Sequence, residues 1–394
     1  MIKSLRLSNF YSFAEDTQVD FSLGRKPTPS GFDIELADCR LNKVIAVVGA
    51  NGSGKTQLIK PLAFLSWFVC DSFLQADPDR SIPYKPHLLH LEEDTRLELD
   101  FFLLGVEHRY QLVLNGGEVV SEALFARTST QFSYLFRRER SGDGFSFKQK
   151  GFPFPKAQAQ GLRANTSLLA AAHSYDIKEA RPFIEYFHSI SSNVKHDGRR
   201  HFQHDALFSS AESYEQCPQI KARMIELMRE LDLGLADISI RQVKVATVDG
   251  EQSTAHLPFG LHRSGDSREF ELSFFEESSG TQSAFVLLGW VLSALEHGGV
   301  AVIDEIDNDL HPHLMPRVLD LFRFEHSNPH QAQLIFTCHT PELLNLLQKH
   351  QVYLCEKQDQ CSAAWRLDEV VGLRADDNLY AKYMAGALGG VPEL

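Results

Sequence analysis

Apolar residues at Ile2, Leu5, Leu7, Phe10, Phe13, Val19 and Phe21, spaced by polar positions, predict two strands joined by a turn over residues 12–16. Residues 24–31, rich in Pro, Gly and Ser, read as a loop. The run Val44-Ile45-Ala46-Val47-Val48 has no polar member, the pattern of a strand covered on both faces. Apolar positions 58, 62, 65 and 69 predict a helix over 57–74 with further apolar faces, stopped by Asp77-Pro78-Asp79. Strands at 97–104 and 108–114, turning at Gly105 and at Asn115-Gly116-Gly117, make an antiparallel meander separate from any parallel sheet.

Over 118–235 the character changes. Arg137, Arg138, Arg140, Lys148, Lys150 and Arg163 alternate with Phe132, Phe136, Phe145 and Phe147, and helical patterns follow at 165–171, 177–190 and 220–231. This stretch reads as a lobe inserted into a core made of residues 1–117 and 236–394. Such an insertion is inexpensive, because loop-closure entropy rises by only about 0.6 kcal/mol per doubling of length. Basic residues among aromatics can grip single-stranded nucleic acid; a solvated strand face over an aromatic core is the plainer alternative. The core resumes with strands at 238–248 and 270–275, a helix over 283–295 ended by Gly298-Gly299, and buried strands at 300–303 and 334–337. Strands at 352–354 and 363–367 complete an α/β architecture with a mostly parallel central sheet, an antiparallel β subdomain and the inserted mixed lobe.

The totals narrow the class. At 394 residues and 43% hydrophobic content the chain can bury a full core, and its net charge of −13 argues against gripping duplex DNA by bulk electrostatics, leaving only a local basic groove open to it. Six cysteines without C-x-x-C spacing suggest neither a zinc site nor a disulfide framework and suit a reducing cytoplasm. The most apolar run, residues 61–70, is short for a bilayer crossing, and no membrane partner is expected. His196, His201 and His204 near a polar turn are compatible with a metal site, but lone histidines in such a turn are more often plain surface.

Chemistry concentrates at the strand ends. Gly49-Ala50-Asn51-Gly52-Ser53-Gly54-Lys55-Thr56 fits the phosphate-loop pattern, with a strand before it and a helix after. Its glycines let successive N–H groups face the phosphates of a nucleotide; Asn51 and Ser53 lie in the same cradle, Lys55 reaches the β- and γ-phosphates, and Thr56 offers a hydroxyl to Mg²⁺. Asp304, at the end of the 300–303 run, is placed to hold Mg²⁺ with Thr56, and Glu305 to polarise a water as general base. His339 follows the neighbouring strand, within reach of a γ-phosphate or as a hydrogen-bonded core histidine. Ser278-Ser279-Gly280-Thr281-Gln282 stands at a helix start, which by itself forms an anion site.

This set resembles the ABC-type ATPases, whose signature LSGGQ lies a similar distance before an Asp-Glu strand. Ser279, Gly280 and Gln282 match that signature, while Ser278 and Thr281 replace its Leu and second Gly; Asp307-Asn308-Asp309-Leu310-His311 resembles the D-loop, with His311 where transporters carry Asp. The resemblance implies a P-loop NTPase fold of ABC-ATPase type, ATP and Mg²⁺ as cofactors, and hydrolysis in a dimer where one copy's Ser279 and Gly280 meet the γ-phosphate held by the other. Transporters place the signature much nearer the phosphate loop than here, where residues 57–277 intervene. The opening Asn9-Phe10-Tyr11-Ser12-Phe13 is similar to SMC and RecF ATPases, but the chain has no heptad-patterned arm.

The nearest resemblance is to RloA-like ATP-binding proteins of bacterial phage-defence operons, through these motifs and through Leu310-His311-Pro312 and Tyr383-Met384-Ala385-Gly386 to Pro392. It implies a homodimer or higher oligomer that controls a separate effector, a nuclease encoded nearby, in response to a phage-derived trigger. No glutamine fills the Q-loop role at Ile82-Pro83-Tyr84-Lys85-Pro86, a departure from the family pattern. A RecF-like DNA-clamping ATPase is the rival expectation; a metabolic kinase leaves Ser279, Gly280 and Glu305 without a task.

Overall fold

The computed structural model describes residues 1–24, 27–75, 77, 79–195, 198–199, 204–231, 234–246, 252–265, 268–309 and 314–390. Strand Val44–Gly49, buried at every position, lies between Gln333–Cys338 and Val352–Gln358 and runs parallel to both. Val300–Ile303 pairs with the far side of Gln333–Cys338, and Ile190–Ser192 adds a parallel edge beyond it. Cys361–Arg366 closes the opposite edge as an antiparallel hairpin strand, giving six strands in all. The unbroken apolar runs have a direct cause. Ile45 and Val47 face one core cluster with the helix Lys55–Gln75, while Val44, Ala46 and Val48 face another with the helix Ser279–His297. Alternate side chains of a strand point to opposite faces, and here both faces are covered.

The second layer is a seven-stranded antiparallel sheet in the order Gly144–Gln149, Ser133–Ser141, Glu118–Arg127, Val106–Asn115, Thr95–Leu103, Ile2–Ser8 and Thr17–Asp20. The expected boundary at Glu118 therefore needs correction: Glu118–Arg127 pairs along its length with Val106–Asn115, and two more strands extend the same sheet to Gln149. Composition changed there because these strands have a solvated outer face, not because a new unit begins. The 21-residue helix Lys55–Gln75 is long and apolar enough to cross a bilayer, but Leu58, Ile59, Leu62, Leu65, Phe68 and Val69 are fully buried in the core it shares with this sheet.

The basic and aromatic alternation resolves by strand parity. Phe136 points inward and Arg137 outward, so Arg138 must point inward again, and it is completely buried. Its guanidinium meets Glu122, its cross-strand neighbour, at 2.6 Å; Glu122 also accepts from Tyr110 Oη, Ser167 Oγ and the Leu168 N–H at 2.8, 2.8 and 2.9 Å. Removing one partner strands a charge in the core, so Glu122→Ala is expected to cost about 3–5 kcal/mol, read as a lowered midpoint in urea unfolding.

Helices at Arg181–His188 and Pro218–Leu231 fall on expected stretches, and the one expected over 165–171 starts three residues later, at Leu168–Ser174, because Ser167 caps it. Several elements had no counterpart in the expectations, among them Ile190–Ser192, Met315–Arg323 and the two that follow. The serine-rich helix His204–Gln216 buries Leu207, Ala211 and Tyr214 at helical spacing. The strand Gln252–Arg263, equally unexpected, carries Pro258 and Gly260 and pairs with Leu235–Ala246 and Glu269–Ser273 in a three-stranded antiparallel sheet. A Cβ on Gly260 would come within 2.5 Å of Glu277 Oε1 and 2.7 Å of Leu235 Cδ1, so a larger residue there has to displace the ends of these side chains.

Candidate functional site

The phosphate loop leaves the end of Val44–Gly49 and enters the helix at Lys55. A Cβ on Gly49 would lie 2.2 Å from the Cys355 carbonyl oxygen, and one on Gly54, whose φ is +108°, would lie 2.5 Å from Ser362 Oγ. Only glycine lets the backbone lie this close to its neighbours. The Lys55 side chain is folded back: Nζ donates to the carbonyls of Gly49 and Ala50 at 2.8 and 3.0 Å and lies 3.4 Å from His339 Nδ1. Burial lowers its pKa. A phosphate in the loop would supply the missing counter-charge and draw the ammonium out of this position. Ser53 Oγ is buried with no hydrogen-bond partner among the described residues.

The acidic pair is set by the ends of three strands. Thr56 Oγ1 is 2.9 Å from both carboxylate oxygens of Asp304, which is 1% exposed. Thr337 Oγ1 donates to Asp304 Oδ1 at 2.7 Å and accepts the Glu305 N–H at 2.7 Å, while Asn193 accepts from Asp304 N at 2.7 Å and donates to Asp304 O at 2.8 Å. Held in this way, the chain turns left-handed at Glu305, φ +49°, a conformation that costs a non-glycine residue about 1–3 kcal/mol. The two carboxylates consequently diverge. Glu305 Oε1 sits 3.2 Å from His339 Nε2, and Glu305 Oε2 accepts from Asn308 Nδ2 at 2.7 Å. An ammonium can only donate, so His339 Nδ1 accepts from Lys55 and Nε2 carries the proton toward Glu305. Asp307 Oδ2 in turn accepts from the backbone N–H of His339 at 2.8 Å and from Thr340 Oγ1 at 2.7 Å.

Asn51, Gly52, Lys55, Thr56, Glu305 and His339 line a cleft of about 530 Å³. Thr56 and Asp304 suit Mg²⁺: a hydroxyl and a carboxylate converge on one point beside a phosphate loop, the sparse oxygen set this ion takes when water and substrate complete its shell. Among the described residues no cluster of three or more His, Cys, Asp or Glu offers a fuller metal cage. Ser279 and Gly280 do not line this cleft. They are exposed at the start of the 19-residue helix Ser279–His297, capped by Ser278 Oγ, which accepts the Thr281 N–H at 3.1 Å. Glu277, just ahead of that cap, is fixed to His262 at 2.6 Å.

Sequence reasoning missed Asn193 and Thr337. Thr337 had a weak signal, the polar member of an apolar strand, whereas Asn193 follows two serines and had none. Residues 82–86 do not line the cleft; Gln57 does, and its Oε1 accepts from the Ser12 N–H at 3.0 Å. Leu310, His311 and Pro312, Pro392, His196 and His201, and the side chain of His204 lie outside the described residues.

A family profile described as "AAA domain, putative AbiEii toxin, Type IV TA system" matches residues 44–345, from the first residue of the phosphate-loop strand past His339. The chain belongs to this family. No curated protein matches it significantly. Solved structures similar to this AAA-domain protein include the SMC head domain from Thermotoga maritima, 16% identical over 94% of this chain and 99% of that one with a TM-score of 0.42. An Smc head bound to the C-winged helix domain of ScpA is 14% identical over 94% and 99%, TM-score 0.48. An Smc head with an extended coiled coil, bound to the C-terminal domain of ScpA and derived from Pyrococcus furiosus, is 13% identical over 93% and 97%, TM-score 0.45.

Proposed function

We propose that the protein binds ATP with Mg²⁺, hydrolyses it, and closes on it as a head-to-tail dimer. The observation that carries this reading is the contact of Thr56 with both oxygens of the buried Asp304, beside the Glu305–His339 pair, with Thr56, Glu305 and His339 lining one phosphate-loop cleft. Backbone N–H groups from Gly49 to Thr56 and the Lys55 ammonium bind and orient the phosphates. Thr56 and Asp304 hold Mg²⁺, which when bound neutralises charge on the phosphate oxygens. Glu305 takes a proton from the attacking water, and His339 holds Glu305 in place and faces the γ-phosphate. Ser279 and Gly280, exposed away from their own cleft, present free N–H groups to the nucleotide of a second copy.

In this reading closure is a two-state switch, because ATP binds the closed pair more tightly than the open one. The switch holds or releases a separate effector, a nuclease encoded nearby, when a phage-derived trigger is met in the cytoplasm; the RloA-like motifs and the toxin–antitoxin description of the family support that setting. The alternative is a RecF- or SMC-like DNA-binding ATPase of repair or recombination, which the net charge of −13 disfavours. Binding of a fluorescent ATP analogue tests the first step: Lys55→Ala should lose about 1.5–3 kcal/mol, ten- to a hundredfold in affinity. Unchanged affinity removes the phosphate loop from the reading, and ATP-dependent duplex binding by the isolated protein at physiological salt transfers support to the alternative.

A further inference from the structure

The central sheet stops pairing at Asp304 on both sides. The ladder to Gln333–Cys338 ends at Ile303 with Phe336, and the ladder to Ile190–Ser192 ends at Val302 with Ser192. A backbone that leaves a sheet has to satisfy its N–H and C=O elsewhere or splay into water. Here side chains take over. Thr337 receives the Glu305 N–H, and Asn193, 1% exposed, takes both polar groups of the Asp304 backbone with its one amide. Asn193 thus acts as a false rung, added where the strand ends. Without it the Asp304 main chain has no fixed partner on the edge side, and the aim of its carboxylate at Thr56 rests on Thr337 alone.

We propose that Asn193 is a positioning residue for the Mg²⁺-holding carboxylate, acting through the Asp304 backbone and not by touching nucleotide or ion. The inference rests on the functional reading above and adds to it a route into the site. Asn193 is the residue after the edge strand Ile190–Ser192, which is flanked by two clefts of about 520 and 340 Å³. One is walled by Trp290 and Tyr214, the other by Trp67 and Asp71, so a displacement of this edge reaches Asp304 through a single amide.

The test separates ion-dependent from ion-independent binding. Affinity for a non-hydrolysable ATP analogue is measured in EDTA and in Mg²⁺ for the wild type, Asn193→Ala and Asn193→Asp, with thermal unfolding alongside. In both variants the affinity in EDTA should stay within about twofold, while the gain on adding Mg²⁺ falls by about 10–100-fold and kcat with it, the usual cost of losing an outer partner of a metal ligand. A purely structural amide would lower Tm and affect both affinities alike. Should Asn193→Ala not fold, Asn193→Asp has nearly the same volume, keeps an acceptor for the Asp304 N–H and carries the same expectation. A folded variant with an undiminished Mg²⁺ gain, or with EDTA affinity lost in parallel, overturns the role of Asn193. A wild type that gains nothing from Mg²⁺ overturns the functional reading beneath it.

Discussion

Glu305→Gln is expected to leave ATP binding intact and to slow hydrolysis by about 10²–10⁴-fold, the usual contribution of a positioned general base. The substitution keeps the volume and the hydrogen-bonding reach of the side chain, so the left-handed turn at 305 and the Asn308 contact are retained. What it removes is the negative charge 3.2 Å from His339 Nε2, and with it the only group of the pair that can take a proton from water. Lys55, Thr56 and Asp304 are untouched, so nucleotide and ion still enter. Because bound ATP is no longer consumed, the ligated form accumulates and mass action favours whichever assembly holds it. Light scattering should then report a nucleotide-dependent dimer that outlives the wild-type one, while phosphate release reports the lost turnover. Hydrolysis at the wild-type rate takes Glu305 out of the mechanism.

The parts of this site that a reader of the sequence can see are those whose chemistry is carried by consecutive residues. The phosphate loop, its buried strand and the Asp304-Glu305 pair each announce themselves within a few positions, since a strand covered on both faces has to be apolar and whatever ends it in a polar residue stands out. Contacts across the sheet lack such a mark. Thr56 and Asp304 meet over 248 positions because the helix that follows the phosphate loop starts beside the strand end that carries Asp304, and motif logic suffices to pair them. Asn193 meets Asp304 over 111 positions through an amide that any surface loop might carry, and nothing in its neighbours singles it out.

The misreadings of the fold have a similar origin. Arg138 resembled its exposed neighbours in composition, while its position in the two-residue period of the strand sent it inward to Glu122. The strand Gln252–Arg263 had no expected counterpart, since local propensity disfavours Pro258 and Gly260 inside a strand, yet the middle strand of a hairpin sheet accommodates both, and Gly260 leaves room for the Glu277–His262 pair beside the helix start. Tertiary pairing outweighed local preference in each case. The boundary drawn at Glu118 failed for the opposite reason: a real change in composition marked a solvated sheet face and was mistaken for a change of unit.

Ser279→Arg provides the sharpest discrimination between a shared site and a self-contained one. Ser279 is exposed and makes no part of the cleft around Lys55, so the substitution should leave the fold and monomeric ATP affinity unaltered. If the helix start of one copy stabilises charge on the nucleotide of the other, an arginine there takes its donors away from that nucleotide while leaving the two copies able to pair, and hydrolysis should fall by about 10²–10³-fold, as when a preorganised donor is lost from a reacting oxygen. Lys55→Ala should be equally inactive for an unrelated reason. In a twofold head-to-tail dimer each site takes its phosphate loop from one copy and its helix start from the other. Mixing the two inactive proteins therefore creates heterodimers with one intact site and one doubly damaged site. Half of the dimers in an equimolar mixture are heterodimers, so about a quarter of wild-type activity should return. A self-contained site, to which Ser279 does not belong, predicts that Ser279→Arg hydrolyses ATP at the wild-type rate and that mixing adds nothing, and that result would leave a self-contained monomer in place of the dimeric ATPase.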